Sequence, residues 1–202
     1  MLARMVEDAG ASAVAVHGRT AEQSYSGTAD WNLVARIADE LRIPVFGSGD
    51  CVTPEQVVDR MRSGVDGVMV GRGVLRNPWI LAQSADLAAG RSPRQISLAE
   101  RGRFLLDYVD LLLTERVRAP IGAGVGAGAD VVQASRPTHT NHDRWVVNKL
   151  RALGSYYTKG HDRGAHLRTA INTAQSLGEL RDIIASFFFG SAAATPSQRA
   201  RA

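Results

Sequence analysis

Two glycine-rich turns, each directly after a short apolar run, constrain this chain most. Gly47-Ser48-Gly49-Asp50 follows Ile43 to Phe46, and Gly71-Arg72-Gly73 follows Val65 to Val70. Between them Thr53-Pro54-Glu55 opens a helix and Ser63-Gly64 stops it, so Pro44 to Val70 reads as strand, turn, helix and strand. One compact βαβ crossover with parallel strands is expected. Backbone N–H groups at Gly47 to Asp50 and at Gly71 can face an anion, because glycine tolerates unusual dihedrals and close ligand approach. Arg72 adds a fixed positive fork, and the nearby helix start adds a favourable dipole. Two consecutive turns of this kind are how the last two units of a (β/α)₈ barrel bind a cofactor phosphate. The same residues also suit two ordinary βα turns.

The flanks extend the alternation. Residues 1 to 9 form the end of a helix stopped by Gly10, and Ala11 to Val16 form a short buried strand leading to His17-Gly18-Arg19-Thr20. Asp30 caps a helix from Trp31 to about Leu41, whose Trp31, Val34, Ala35, Ile37, Ala38 and Leu41 give an apolar stripe of helical period. Ile43 to Phe46 is the next strand, with Pro44 near its start, where a missing N–H removes least from the ladder. Asn77-Pro78 starts a further helix anchored by Trp79, Ile80 and Leu81.

After Arg91-Ser92-Pro93 the pattern changes to long helices: Leu98 to about Val117, Asp143 to Tyr157, His161 to Gln175, and Leu177 to Phe189. The expected organisation is α/β over 1–90 and all-helical over 91–189, with a disordered tail over 190–202. A glycine- and alanine-rich stretch near 119–140 has no Lys-Ser or Lys-Thr pair after it and no clear strand before it, so it reads as a flexible insertion.

The 202 residues exceed what one small domain needs but fall short of the roughly 250 of a complete (β/α)₈ barrel. A barrel reading must therefore account for missing strands. Hydrophobic content of 45% and charged content of 22% are those of an ordinary globular protein. The net charge of +4 is uneven: residues 141 to 170 carry Arg144, Lys149, Arg151, Lys159, Arg163 and Arg168 against Asp143 and Asp162. A local basic face and a polyanion partner are expected there.

One cysteine excludes an intramolecular disulfide framework and fits a reducing cytoplasm. No apolar run approaches the roughly 20 residues of a membrane span, and the charged N-terminus lacks the apolar core of a signal peptide. His17 ends a strand on the rim where βα-barrel sites are built, and the two turns on neighbouring strands favour a site role over a structural one. Cys51 has no local Cys-His-Asp pattern and reads as a small buried thiol rather than a nucleophile. His139 and His142 lack accompanying acids or cysteines, so no metal is expected.

Together, Val16-His17-Gly18-Arg19-Thr20, Ala29-Asp30-Trp31, Ile43 through Asp50, and Gly67 through Gly73 with Asn77-Pro78-Trp79-Ile80 resemble the tRNA-dihydrouridine synthase family. This resemblance covers about residues 1 to 90. Downstream, Asn148-Lys149-Leu150-Arg151 and Tyr156-Tyr157-Thr158-Lys159-Gly160 more loosely resemble that family's helical tRNA-binding domain. The resemblance implies a TIM barrel holding FMN, followed by a helical bundle, that reduces the uracil C5–C6 double bond in tRNA with electrons from NADPH. It places His17 beside the flavin and gives Ser48, Gly49, Asp50, Gly71 and Arg72 to the ribityl phosphate. The family usually has Asn where Ser48 stands, a change that removes an amide donor but leaves the backbone contacts.

In such a barrel five strands would precede Met1, carrying flavin-ring contacts, a lysine near the flavin and the proton-donor cysteine. Cys51 follows the seventh-strand equivalent and cannot take that role. The chain is therefore expected to be the last three βα units of a barrel plus the helical domain, with no catalytic residue of its own and with the missing barrel half as a partner. RNA contacts are expected at Arg19, Arg144, Lys149, Arg151 and Lys159, with Trp145, Tyr156 or Tyr157 stacking on bases. A non-catalytic RNA-binding fragment and another FMN-dependent barrel oxidoreductase remain as alternatives.

Overall fold

The computed structural model describes residues 2–24, 26–115 and 139–190. The chain divides into two compact units, Met1–Gln95 and Ile96–Ala202. The first is α/β: α1 (Leu2–Asp8), β1 (Val14–His17), α2 (Trp31–Glu40), β2 (Val45–Ser48), α3 (Pro54–Met61), β3 (Gly67–Met69), α4 (Arg72–Arg76) and α5 (Ile80–Ala88). Its strands lie parallel in the order β1-β2-β3.

Local chemistry sets the helix ends. The Asp30 carboxylate accepts from the Leu33 amide at 2.9 Å and starts α2. Thr53 and Gln56 form a capping box on α3, with Pro54 at the first helical position, where its missing N–H costs nothing. The apolar stripe of α2 delivers Trp31, Val34 and Ile37 to the core, each burial contributing roughly 1.5–3 kcal/mol. There Trp31 and Val34 join Val57, Val65 and Ile80 in one cluster. Gly47 is needed on β2 because a Cβ would run into the Trp31 ring.

The strands differ from the sequence expectation in an instructive way. The first begins at Val14 rather than Ala11, and its residues alternate between half-buried and exposed instead of being uniformly buried. The second begins at Val45, after Pro44, which has no N–H for the ladder, and runs on through Gly47 and Ser48. Gly49 is therefore the first turn residue. The third shrinks to Gly67–Met69. Past it, Gly71-Arg72-Gly73 leads into the short α4, for which Asn77 is the C-cap, so the next helix starts at Ile80 and not at Asn77-Pro78.

Residues in register across parallel strands share a face, so Ala15, Phe46 and Gly67 align, as do His17, Ser48 and Met69. This is the face opposite the helices. Phe46 is 38% and Met69 51% exposed on it. Parallel sheets are ordinarily covered on both faces.

The second unit contains α6 (Leu98–Thr114), α7 (His139–Tyr157), α8 (Gly164–Thr173) and α9 (Leu177–Phe189). Ser97 and Glu100 form a capping box on α6, and Ser176 caps α9. Leu105, Val109, Val146, Leu150, Leu167, Ile171, Leu180 and Ile184 fill a core shared by all four helices. Gly102 lets α6 approach α9, since a Cβ there would overlap Phe188. Helix α7 starts a turn before the expected Asp143. Helix α8 starts after the expected His161, because His161 to Arg163 form a turn in which Arg163 takes φ +54°.

Residues 116–138, which include all but the last two residues of the glycine- and alanine-rich stretch expected near 119–140, and the tail from 191 on lie outside the described residues. Among the described residues, no helix is long and apolar enough to cross a membrane.

Candidate functional site

In a parallel sheet all strands end on one edge, so β1, β2 and β3 deliver His17, then Ser48-Gly49-Asp50, then Gly71-Arg72 to the same rim. His17 and Ser48 lie in register. The Ser48 carbonyl accepts from the Gly18 amide at 3.0 Å and lies 3.1 Å from His17 Nδ1, which joins the β1 exit to the β2 exit.

The turn after β2 is left-handed at two successive residues, Gly49 at φ +133° and Asp50 at φ +52°. Gly49 is required twice over, by its dihedral and because a Cβ would press on Ala29. Its carbonyl accepts from the Trp31 indole N–H at 2.9 Å and from the Cys51 thiol at 3.3 Å. The Arg60 guanidinium carbon sits 5.1 Å from the centre of the Trp31 ring. At Gly71, by contrast, a Cβ would meet nothing within 4 Å, so the approach to this backbone is open.

Asp50 and Arg19 tie the first two loops together. Arg19 Nη2 donates to both Asp50 oxygens, at 2.7 and 2.8 Å, and to the Gly27 carbonyl at 2.8 Å. Arg19 Nε donates to the Ser26 carbonyl at 3.2 Å, and Asp50 Oδ2 accepts the Ala29 amide at 2.7 Å. Burial opposes ionisation of Asp50, but the Ala29 amide, Arg19 and the charge of Arg72 outweigh it and hold its pKa below the ordinary 3.8. Cys51 is buried, and burial raises its thiol to about 11. It is a packed thiol, not a nucleophile at neutral pH.

Arg19 was expected to contact RNA, but its side chain is only 3% exposed and its guanidinium is engaged inside the protein. The sequence reading missed this pair, along with Ala29 and Trp31 as supports of the turn. Opposite charge at the two loop exits was the available signal, yet 31 residues separate the partners.

The basic residues of the helical unit sort into two kinds. Arg144, Lys149 and Lys159 are exposed. The Lys149 ammonium lies 5.3 Å from the Trp145 ring, and the Lys159 ammonium 5.4 Å from the Tyr156 ring. His142 also stacks on Trp145, and its Nε2 lies 3.1 Å from the Leu112 carbonyl. Arg151 is instead half-buried, donating to Asn148 Oδ1 at 3.0 Å and to the Ala174 carbonyl at 2.7 Å. Tyr157 is fully buried with its hydroxyl on the Arg101 carbonyl at 2.9 Å, so it cannot stack on a base as expected.

A family model described as "Dihydrouridine synthase (Dus)" matches residues 1–119. The chain belongs to the dihydrouridine synthase family. It is 45% identical over 180 residues to a probable tRNA-dihydrouridine synthase of Mycobacterium tuberculosis (strain ATCC 25618 / H37Rv), covering 88% of this chain and 40% of that protein. It is 32% identical over 180 residues to the Mycobacterium leprae (strain TN) protein named likewise, with 88% and 40% covered. It is 33% identical over 177 residues to tRNA-dihydrouridine synthase B of Xanthomonas campestris pv. campestris, with 87% and 46% covered. The chain thus spans between 40% and 50% of the length of such curated relatives.

Proposed function

We propose that the first unit is a run of three βα units from the FMN-binding barrel of a tRNA-dihydrouridine synthase, and that the helical unit is its RNA-binding part. The observation that carries this reading is the convergence of three strand exits, with His17, Ser48, the Gly49–Asp50 turn, Gly71 and Arg72 on one rim. These residues suit the phosphate end of FMN. Gly71 leaves open space, the Gly49–Asp50 turn is held left-handed, and Arg72 brings positive charge close enough to influence Asp50. When bound, the flavin would relay electrons from NADPH to the uracil C5–C6 double bond of tRNA.

The chain's own residues orient and bind. Gly49, Asp50 and Gly71 present backbone amides, Arg72 supplies charge, and His17 stands level with Ser48 on the sheet face away from the helices. No catalytic acid is assigned to this chain. The exposed Phe46 and Met69 on that face support a partner, the other half of a barrel. In the helical unit, Arg144, Lys149 and Lys159 are the phosphate contacts, with Trp145 and Tyr156 beside them. Work on tRNA fits the cytoplasm.

The test is quenching of FMN fluorescence by the purified chain. Saturable quenching that weakens in Arg72→Ala supports the flavin site. Absence of quenching by a chain with native circular dichroism overturns it and leaves RNA binding by the helical unit as the second reading. The exposed lysines over Trp145 and Tyr156 favour that second reading. Loss of tRNA retention as salt rises is its signature.

A further inference from the structure

We propose that Arg19 and Asp50 form a positioning pair for the phosphate end of the flavin site, holding the β1–α2 loop and the β2–α3 turn as one unit. The inference rests on the flavin reading above and concerns two side chains that would touch no ligand.

An aspartate in an anion-binding turn is electrostatically wrong unless its charge is taken up elsewhere. Here it is. Both Asp50 oxygens receive Arg19 Nη2, and Oδ2 also receives the Ala29 amide, so the carboxylate is turned toward its own scaffold. Arg19 reaches back to the Ser26 and Gly27 carbonyls and is almost removed from water, which fixes the fork in place. Its Nη1 is buried without a hydrogen-bond partner, a cost that the bonds of Nη2 and Nε offset. The pair therefore ties the β2–α3 turn to the β1–α2 loop. Asp50 sits at φ +52°, a region uncommon for residues other than glycine though aspartate tolerates it better than most, and the bonds to Arg19 and Ala29 fix it there.

This makes an opposite prediction to simple electrostatics. Asp50→Asn removes a negative charge near an anion site and by Coulomb's law alone should tighten FMN. A positioning role requires that it weaken. The experiment compares FMN with riboflavin, which lacks the phosphate, by fluorescence titration of the whole chain and of Asp50→Asn and Arg19→Lys. Arg19→Lys keeps the charge but loses the fork, and it carries the test if Asp50→Asn fails to fold by circular dichroism.

The expected result is a loss of about tenfold in FMN affinity in both variants, with riboflavin affinity unchanged. Unchanged or tighter FMN binding overturns the proposal, and so do equal losses for both flavins, which would mark the pair as merely structural. An unaltered chain that binds neither flavin overturns the flavin reading and the pair with it.

Discussion

Gly73 lies directly against the Cys51 carbonyl oxygen, so closely that a Cβ at position 73 would overlap it. This contact joins the start of α4, past β3, to the turn past β2, and makes the two glycine-rich segments neighbours in space. Gly73→Ala must push two backbones apart and should cost about 1–3 kcal/mol, the range for overpacking. Denaturant unfolding of the chain measures the cost, and FMN titration should show weakened binding alongside it.

Asp50 makes stability depend on pH in a known direction. Its folded pKa lies below the ordinary 3.8, so its contribution is present above that value and is lost as pH falls through the lower folded one. In Asp50→Asn that acid-side loss should flatten. At neutral pH the variant should also be less stable by roughly 3 kcal/mol, because Arg19 keeps a nearly buried charge without its partner. Urea midpoints between pH 2.5 and 7 check both expectations.

Cys51 should be inert to thiol reagents at pH 8 while the chain is folded and fully reactive in denaturant. Burial raises its pKa from 9.0 to about 11. Because the folded pKa is the higher one, the neutral thiol's contribution to stability is complete below about 9 and declines as pH rises toward 11. A slow, unfolding-limited reaction with a chromogenic disulfide is the expected behaviour.

Tyr157→Phe tests the helical core apart from RNA contact. The hydroxyl donates to the Arg101 carbonyl from a fully buried site, and its loss should cost about 1–2 kcal/mol. Affinity for tRNA, measured below the new melting transition, should be unchanged.

Lys149→Ala and Arg144→Ala should each weaken tRNA binding and lower its salt slope by about one. Arg151→Ala should chiefly destabilise, since its guanidinium holds Asn148 and the Ala174 carbonyl. Filter binding across a salt series, set beside thermal unfolding, separates the two outcomes.

What could be read directly from the residues was local. Asp30 before Trp31 and Thr53-Pro54 each act within one helical turn, and the structure starts α2 and α3 where they stand. The helical residues from 98 on were legible for the same reason, as amphipathic period, although Arg163 and Gly164 delay α8. The strands shifted because their limits depend on which residue lies across the ladder. Gly47 and Ser48 look like a turn by composition, yet pairing with Val16 and His17 keeps them in β2.

By itself the amino-acid order determined the alternation of strand and helix, the change to helices in the nineties, and the membership of a family carried by short motifs around His17, Gly49 and Gly71. Propensity, capping and glycine's freedom all operate over a few residues, so a linear reading reaches them. Only the tertiary structure decided that Arg19 faces Asp50 rather than solvent, that Arg151 and Tyr157 serve the core, and that Gly73 must be glycine. Each depends on a partner brought close by folding, and neither charge nor size along the chain says who that partner is.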